Sequence, residues 1–129
     1  MRHCCRMLAV VALVGCSRAP EQTGTGAKEA AQAYYDALIR QDWPQAYAAL
    51  QSESKRQCSQ EQFTRLAQQY RANLGFEPTT VHIRACEENG SDAIAHVTIG
   101  GPKQFRDAVS VRKDGDAWRI LLSSKFGRK

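Results

Sequence analysis

Val81-His82-Ile83-Arg84-Ala85-Cys86-Glu87-Glu88-Asn89-Gly90-Ser91-Asp92-Ala93-Ile94-Ala95-His96-Val97-Thr98-Ile99 is the stretch that decides the fold. Apolar residues recur at every second position on both sides of Glu88-Asn89-Gly90: Val81, Ile83 and Ala85 before it, Ala93, Ala95, Val97 and Ile99 after it. A period of two puts such side chains on one face of a pleated strand, and Asn-Gly marks a tight turn. A three-residue loop at Glu88, Asn89 and Gly90 pairs Glu87 with Ser91, which sets Val81 opposite Val97, Ile83 opposite Ala95 and His82 opposite His96.

Towards the C-terminus, Gly100-Gly101-Pro102 interrupts, and then Phe105, Val109 and Val111 share a face with Asp107 among them. Asp114-Gly115 is a second hairpin signal, followed by Trp118, Ile120 and Leu122. Pairing Lys113 with Asp116 sets Val111 opposite Trp118, Val109 opposite Ile120 and Asp107 opposite Leu122 at the strand end.

Towards the N-terminus the period is helical. Ala27, Ala31, Tyr34 and Leu38 form one apolar face. Asp42-Trp43-Pro44-Gln45 restarts a helix carrying Ala46, Tyr47, Ala49 and Leu50, and the polar run Ser52 to Cys58 breaks the pattern. Ser59-Gln60-Glu61-Gln62 is a capping box, after which Phe63, Leu66, Ala67, Tyr70 and Leu74 lead to a stop at Gly75. Three helices followed by a four-stranded antiparallel meander with one apolar face make an α+β domain.

The 129 residues, 43% apolar and 24% charged, suit one globular domain rather than a disordered or multispan membrane chain. Arg2 and Arg6 precede the apolar run Met7 to Val14, which is too short to span a bilayer and fits a secretory signal. Leu13-Val14-Gly15-Cys16 resembles the lipobox of bacterial lipoproteins. The resemblance implies cleavage before Cys16, lipid on its sulfur and an acylated amino terminus, and more than one chain anchors a protein stably. The organisation expected is a signal at 1–15, a lipidated Cys16 with a flexible tether at 16–26, and a domain at 27–129. The expected place is the bacterial cell envelope, facing the periplasm, with Ser17 favouring the outer membrane in a Gram-negative host.

The five cysteines then divide. Cys4 and Cys5 leave with the signal, Cys16 carries lipid, and Cys58 and Cys86 remain in a compartment that permits a disulfide. Such a bridge would add roughly 3–4 kcal/mol by chain entropy. The alternative is two free thiols. No Cys-x-x-Cys or Cys/His cluster points to zinc or redox chemistry, and no cofactor is indicated.

Ala30 to Leu50, with Ala-x-x-Tyr-Tyr-Asp-Ala-Leu, Gln-Asp-Trp and Ala-Tyr-x-x-Leu, resembles the opening of nuclear transport factor 2-like (cystatin-like) domains. The Ser-x-x-x-Phe start of the third helix and the closing Asp-Gly-Asp-Ala-Trp-Arg-Ile are similar too. The match is best to small bacterial lipoproteins carrying such a domain, a type without an assigned function. It implies a cone-like roll, a curved sheet around the helices with a pocket at the open end. Members include isomerases, dehydratases and non-enzymatic binding or assembly modules, so the fold leaves the activity open.

Asp107 is a carboxylate in step with apolar neighbours and is the candidate general acid or base, with Tyr34, Tyr47 and Tyr70 as hydrogen-bond donors. Solvation or an Arg partner at the strand end is the plainer reading. Tyr34, Tyr47, Tyr70, Phe105 and Trp118 are candidates to line a pocket for an apolar ligand; plain packing is the competing account. His82 and His96, facing each other, lack a third metal ligand. The last 27 residues hold eight basic and three acidic groups, a basic end suited to solubility or to an anionic surface beside the membrane. Nucleic acid is not expected outside the cytoplasm. The first expectation is a non-enzymatic envelope lipoprotein binding a small apolar ligand or an envelope protein. A pocket enzyme of isomerase or dehydratase type using Asp107 with a tyrosine is the second. The third is an assembly factor that docks or forms a homodimer through the outer sheet face.

Overall fold

The computed structural model describes residues 24–128, so the expected signal at 1–15, the expected lipidation site Cys16 and residues 17–23 lie outside the described residues. Four helices, α1 (Ala27–Ile39), α2 (Trp43–Ala48), α3 (Ser52–Gln57) and α4 (Gln60–Asn73), precede strands β1 (Thr80–Asn89), β2 (Asp92–Gly100), β3 (Gln104–Asp114) and β4 (Ala117–Leu121). The strands form one antiparallel sheet in the order β1-β2-β3-β4. The class is α+β, with four helices where the sequence pattern indicates three.

The additional helix is α3, which has no apolar stripe to announce it. Local polar bonds hold it instead. The Gln51 side chain accepts from the Glu53 N–H at 2.9 Å. Glu53 stands in the first turn and Lys55 and Arg56 in the last, complementing the helix dipole. The buried Ser54 hydroxyl accepts from the Leu122 N–H at 3.1 Å, which docks the helix on the chain leaving β4. At α4 the Ser59/Gln62 capping box is complete, and Gly75 takes φ +75° just beyond the end.

The β1–β2 and β3–β4 hairpins turn over two residues each, and neither has the expected register. Asn89 pairs with Asp92, and Asp114 pairs with Ala117. Val81 faces Ile99, Ile83 faces Val97, Val111 faces Ile120 and Lys113 faces Trp118. A bulge between Ile83 and Ala85 absorbs one residue of β1. It turns Cys86 to the inner face in place of Ala85 and leaves His82 opposite Thr98 and His96 opposite Ala85, so the histidines do not face each other.

α1 lies against all four strands and meets α2 and α4. It buries Ala27, Ala31, Tyr34, Tyr35, Ala37 and Leu38, an apolar face that sustains a helix whose N-cap, Gly26, has no side-chain cap. Phe63, Leu50, Val97, Ile99, Val111 and Ile120 complete the centre of the core. The free edge of β4 is covered: Gln51 N–H donates to Ile120 O at 2.8 Å and Ile120 N–H to Ala49 O at 2.9 Å. The end of the expected tether is part of the domain, since Thr25 donates its N–H to Glu88 at 2.8 Å and its hydroxyl accepts from Trp118 Nε1 at 2.9 Å.

β4 ends at Leu121, opposite Ser110. Phe105, Asp107 and Val109 of β3 therefore pair with Ile99, Val97 and Ala95 of β2 but have no β4 residue on their other side. Asp107 is not opposite Leu122. The unpaired half of β3 is where the cone opens.

Candidate functional site

Asp107 projects from that half of β3 towards the helices and is half-buried. Tyr35 of α1 donates its hydroxyl to Asp107 Oδ2 at 3.0 Å, and Tyr70 of α4 donates to the same oxygen at 2.8 Å. The Ala108 N–H donates to Asp107 Oδ1 at 2.8 Å. Three separate elements thus converge on one carboxylate. No Lys, Arg or His among the described residues forms an ion pair with it.

Tyr34 stands beside this cluster. It is 2% exposed, feels the charge of Asp107, and makes no hydrogen bond to a described residue. Burial pushes the phenols of Tyr34, Tyr35 and Tyr70 far above their ordinary range, and the negative Asp107 and, for Tyr35 and Tyr70, neighbouring phenols raise them further. All three are protonated donors at neutral pH.

The cluster opens onto a cavity of about 630 Å³. Tyr34, Tyr35, Tyr70, Phe105, Val109 and Phe126 give it an aromatic and aliphatic wall, and the exposed Lys125 and Arg128 also line it. Phe126 stacks on Tyr70 at 5.0 Å between centroids and on Phe63 at 5.6 Å, so the segment after β4 forms one side. Gly127 takes φ +70°, and a Cβ there would clash with Leu66 O, so the lack of a side chain lets that segment lie close on α4. A second, more polar cavity of about 440 Å³ lies on the other side of the same segment, near Cys58 and Arg65.

Of the residues expected to line a pocket, Tyr34, Tyr70 and Phe105 line the larger cavity, and Tyr47 and Trp118 do not. The Tyr47 hydroxyl donates instead to Cys58 O at 2.9 Å and Lys55 O at 3.2 Å, while Trp118 packs at the hairpin end beside Thr25. Tyr35, which the spacing marks as a core aromatic four residues after Ala31 and three before Leu38, also lines the cavity and binds Asp107.

The expected Cys58–Cys86 disulfide is absent, and both thiols are free. Cys58 ends α3, with its sulfur on Ser59 O at 3.6 Å. The bulge carries Cys86 to the inner face of β1, among Lys28, Glu29 and Glu88. Burial raises both thiols, and for Cys86 the acidic neighbours add to the rise. Among the described residues no three His, Cys, Asp or Glu gather as a metal site, and no helix is long and apolar enough to cross a membrane.

No curated protein matches the chain. Among solved structures, a Campylobacter jejuni protein assigned as an NTF2-like transpeptidase (2.00 Å) superposes with a TM-score of 0.59. It shares 14% identity and covers 74% of this chain and 96% of its own, a likeness of fold. The family model of the NTF2-like N-terminal transpeptidase domain matches residues 26–126, from the first helix through the segment that closes the cavity. The chain therefore belongs to the NTF2-like N-terminal transpeptidase domain family.

Proposed function

We propose that this protein is a membrane-anchored envelope lipoprotein whose domain is a non-enzymatic module that holds a small ligand. The observation that carries the reading is the 630 Å³ cavity with an aromatic wall and one carboxylate fixed by two tyrosines. This combination of apolar lining and few convergent polar groups is characteristic of ligand pockets. Binding is favoured over catalysis because the Tyr35 and Tyr70 protons are committed to Asp107. An oxyanion-stabilising site needs donors aimed at the substrate. The anchor follows from the Leu-Val-Gly-Cys16 motif and its basic, apolar leader.

Two measurements test the proposal on the full chain. Nile red, a neutral apolar dye, is expected to bind with enhanced fluorescence, and Val109→Trp, which fills the cavity, is expected to abolish the signal in a folded protein. Equal dye binding by the variant refutes the cavity reading. Protein expressed with its leader is expected to partition into the detergent phase, and Cys16→Ser into the aqueous phase; identical partitioning refutes the anchor.

A second reading, a pocket enzyme of isomerase type, is supported by the proton-bearing Tyr34 beside Asp107 at the cavity wall. It requires α-proton exchange of a cyclic enone in D₂O that is lost in Asp107→Asn.

A further inference from the structure

We propose that the ligand of the larger cavity is an organic primary amine, with its ammonium head at Asp107 and its apolar body along the aromatic wall. This rests on the cavity-binding reading above and specifies its ligand. The argument is a count of donors and acceptors. Asp107 Oδ2 takes protons from Tyr35 and Tyr70, and Oδ1 takes the Ala108 N–H. All three donors are neutral, so they satisfy lone pairs and leave the negative charge without a counter-ion among the described residues.

A phenol that has given its single proton to Asp107 offers further partners only oxygen lone pairs. Tyr35 and Tyr70 are in that position, and a carboxylate with about four acceptor sites has one left on Oδ1. Of the three phenols, Tyr34 alone makes no hydrogen bond to a described residue and keeps its proton for a ligand. The wall around Asp107 is therefore rich in acceptors and carries one negative charge. A primary ammonium brings three N–H donors, no acceptor and one positive charge, and so meets both requirements. An alcohol brings one donor and no charge. A carboxylate brings no donor and is repelled.

Lys125 and Arg128 favour the opposite sign, but both are exposed, where water and salt screen them, whereas Asp107 is half-buried. The ranking of three probes of equal chain length decides between them. In competition with Nile red on the full chain at pH 7.5 and physiological salt, hexylamine is expected to bind at least tenfold more tightly than 1-hexanol. Hexanoate is expected to be the weakest. A factor of ten is about 1.4 kcal/mol. In Asp107→Asn, checked for folding by circular dichroism, the preference for the amine is expected to vanish while hexanol is unaffected.

Equal binding of hexanol and hexylamine, best binding of hexanoate, or a preference that survives Asp107→Asn overturns the amine proposal and leaves the cavity reading standing. If Nile red does not enter the cavity, that reading falls by itself. Calorimetry of hexylamine on the unmodified chain then tests the amine site directly, and no binding overturns it. Should Asp107→Asn fail to fold, the wild-type ranking of the three probes decides.

Discussion

Raising the pH should unfold this domain through its buried phenols. Tyr34, Tyr35 and Tyr70 have folded-state pKa values raised by burial first, with Asp107 adding to all three and neighbouring phenols to Tyr35 and Tyr70. In the unfolded chain each titrates near 10. Below that pH both states hold the protons, and the stabilisation is fully present. Above it the unfolded state releases protons that the folded state keeps, so stability falls as pH rises. Each tyrosine contributes a slope of about 1.4 kcal/mol per pH unit, and three together about 4 kcal/mol per unit between roughly pH 10.5 and 12. A domain of this size has a stability of roughly 5–15 kcal/mol, so the loss is large within two units. Urea titrations followed by circular dichroism at pH 9, 10.5 and 11.5 measure the slope. Tyr70→Phe should reduce it by about a third, a comparison in which the two raised thiols, which act in the same direction, cancel. A stability unchanged between pH 9 and 11.5, a slope unaffected by Tyr70→Phe, or all three phenolates absorbing at 295 nm while the protein is folded refutes the reasoning.

The hydrogen bond from Tyr35 to Asp107 is charge-assisted, so Tyr35→Phe should destabilise by about 1.5–3 kcal/mol. A cycle with Asp107→Asn should return a coupling of at least ~0.5 kcal/mol by urea denaturation; additivity would contradict the contact. Gly127→Ala combines a left-handed backbone with a clash at Leu66 O and should cost at least ~1–2 kcal/mol. Amide exchange should accelerate at residues 123–128 first. Phe63 is fully buried between Tyr47 and Phe126, and Phe63→Ala should cost about 3–5 kcal/mol in a chemical melt. Ellman titration without reductant should find the Cys58 and Cys86 thiols in denaturant, and reactivity that appears only after reduction would restore the disulfide.

Elements with local determinants were legible in the sequence. The Ser59/Gln62 box, the stop at Gly75 and the strand-forming alternation of Ala93 to Ile99 each act within a few residues, and each has its counterpart in the fold. The registers were not legible. A bulge at Arg84 leaves the apolar alternation nearly unchanged while moving Cys86 inward, and a turn signal marks a hairpin without counting its loop residues. Helix α3 was hidden because it has no apolar stripe, and the contact that docks it, Ser54 with Leu122, spans 68 residues. The disulfide expectation rested on compartment chemistry, which permits a bond without bringing two sulfurs together. Asp107 stood out as a carboxylate on an apolar face. Its partners could not be assigned, because adjacent Tyr34 and Tyr35 both lie on the buried side of α1 and only the packed geometry separates their roles.

The shortness of β4 gives the domain a degree of evolutionary freedom. The five-residue strand stops beside Ser110, and the cavity occupies the place where its continuation would have paired with Phe105, Asp107 and Val109. Cavity size is thereby governed by where one edge strand ends and by the segment that follows it. Apart from Tyr35, the largest fully buried side chains, such as Phe63, Leu50, Ile99 and Ile120, are not on the cavity wall. Relatives of this fold can therefore lengthen or shorten the strand and change what the cone admits while inheriting the same interior.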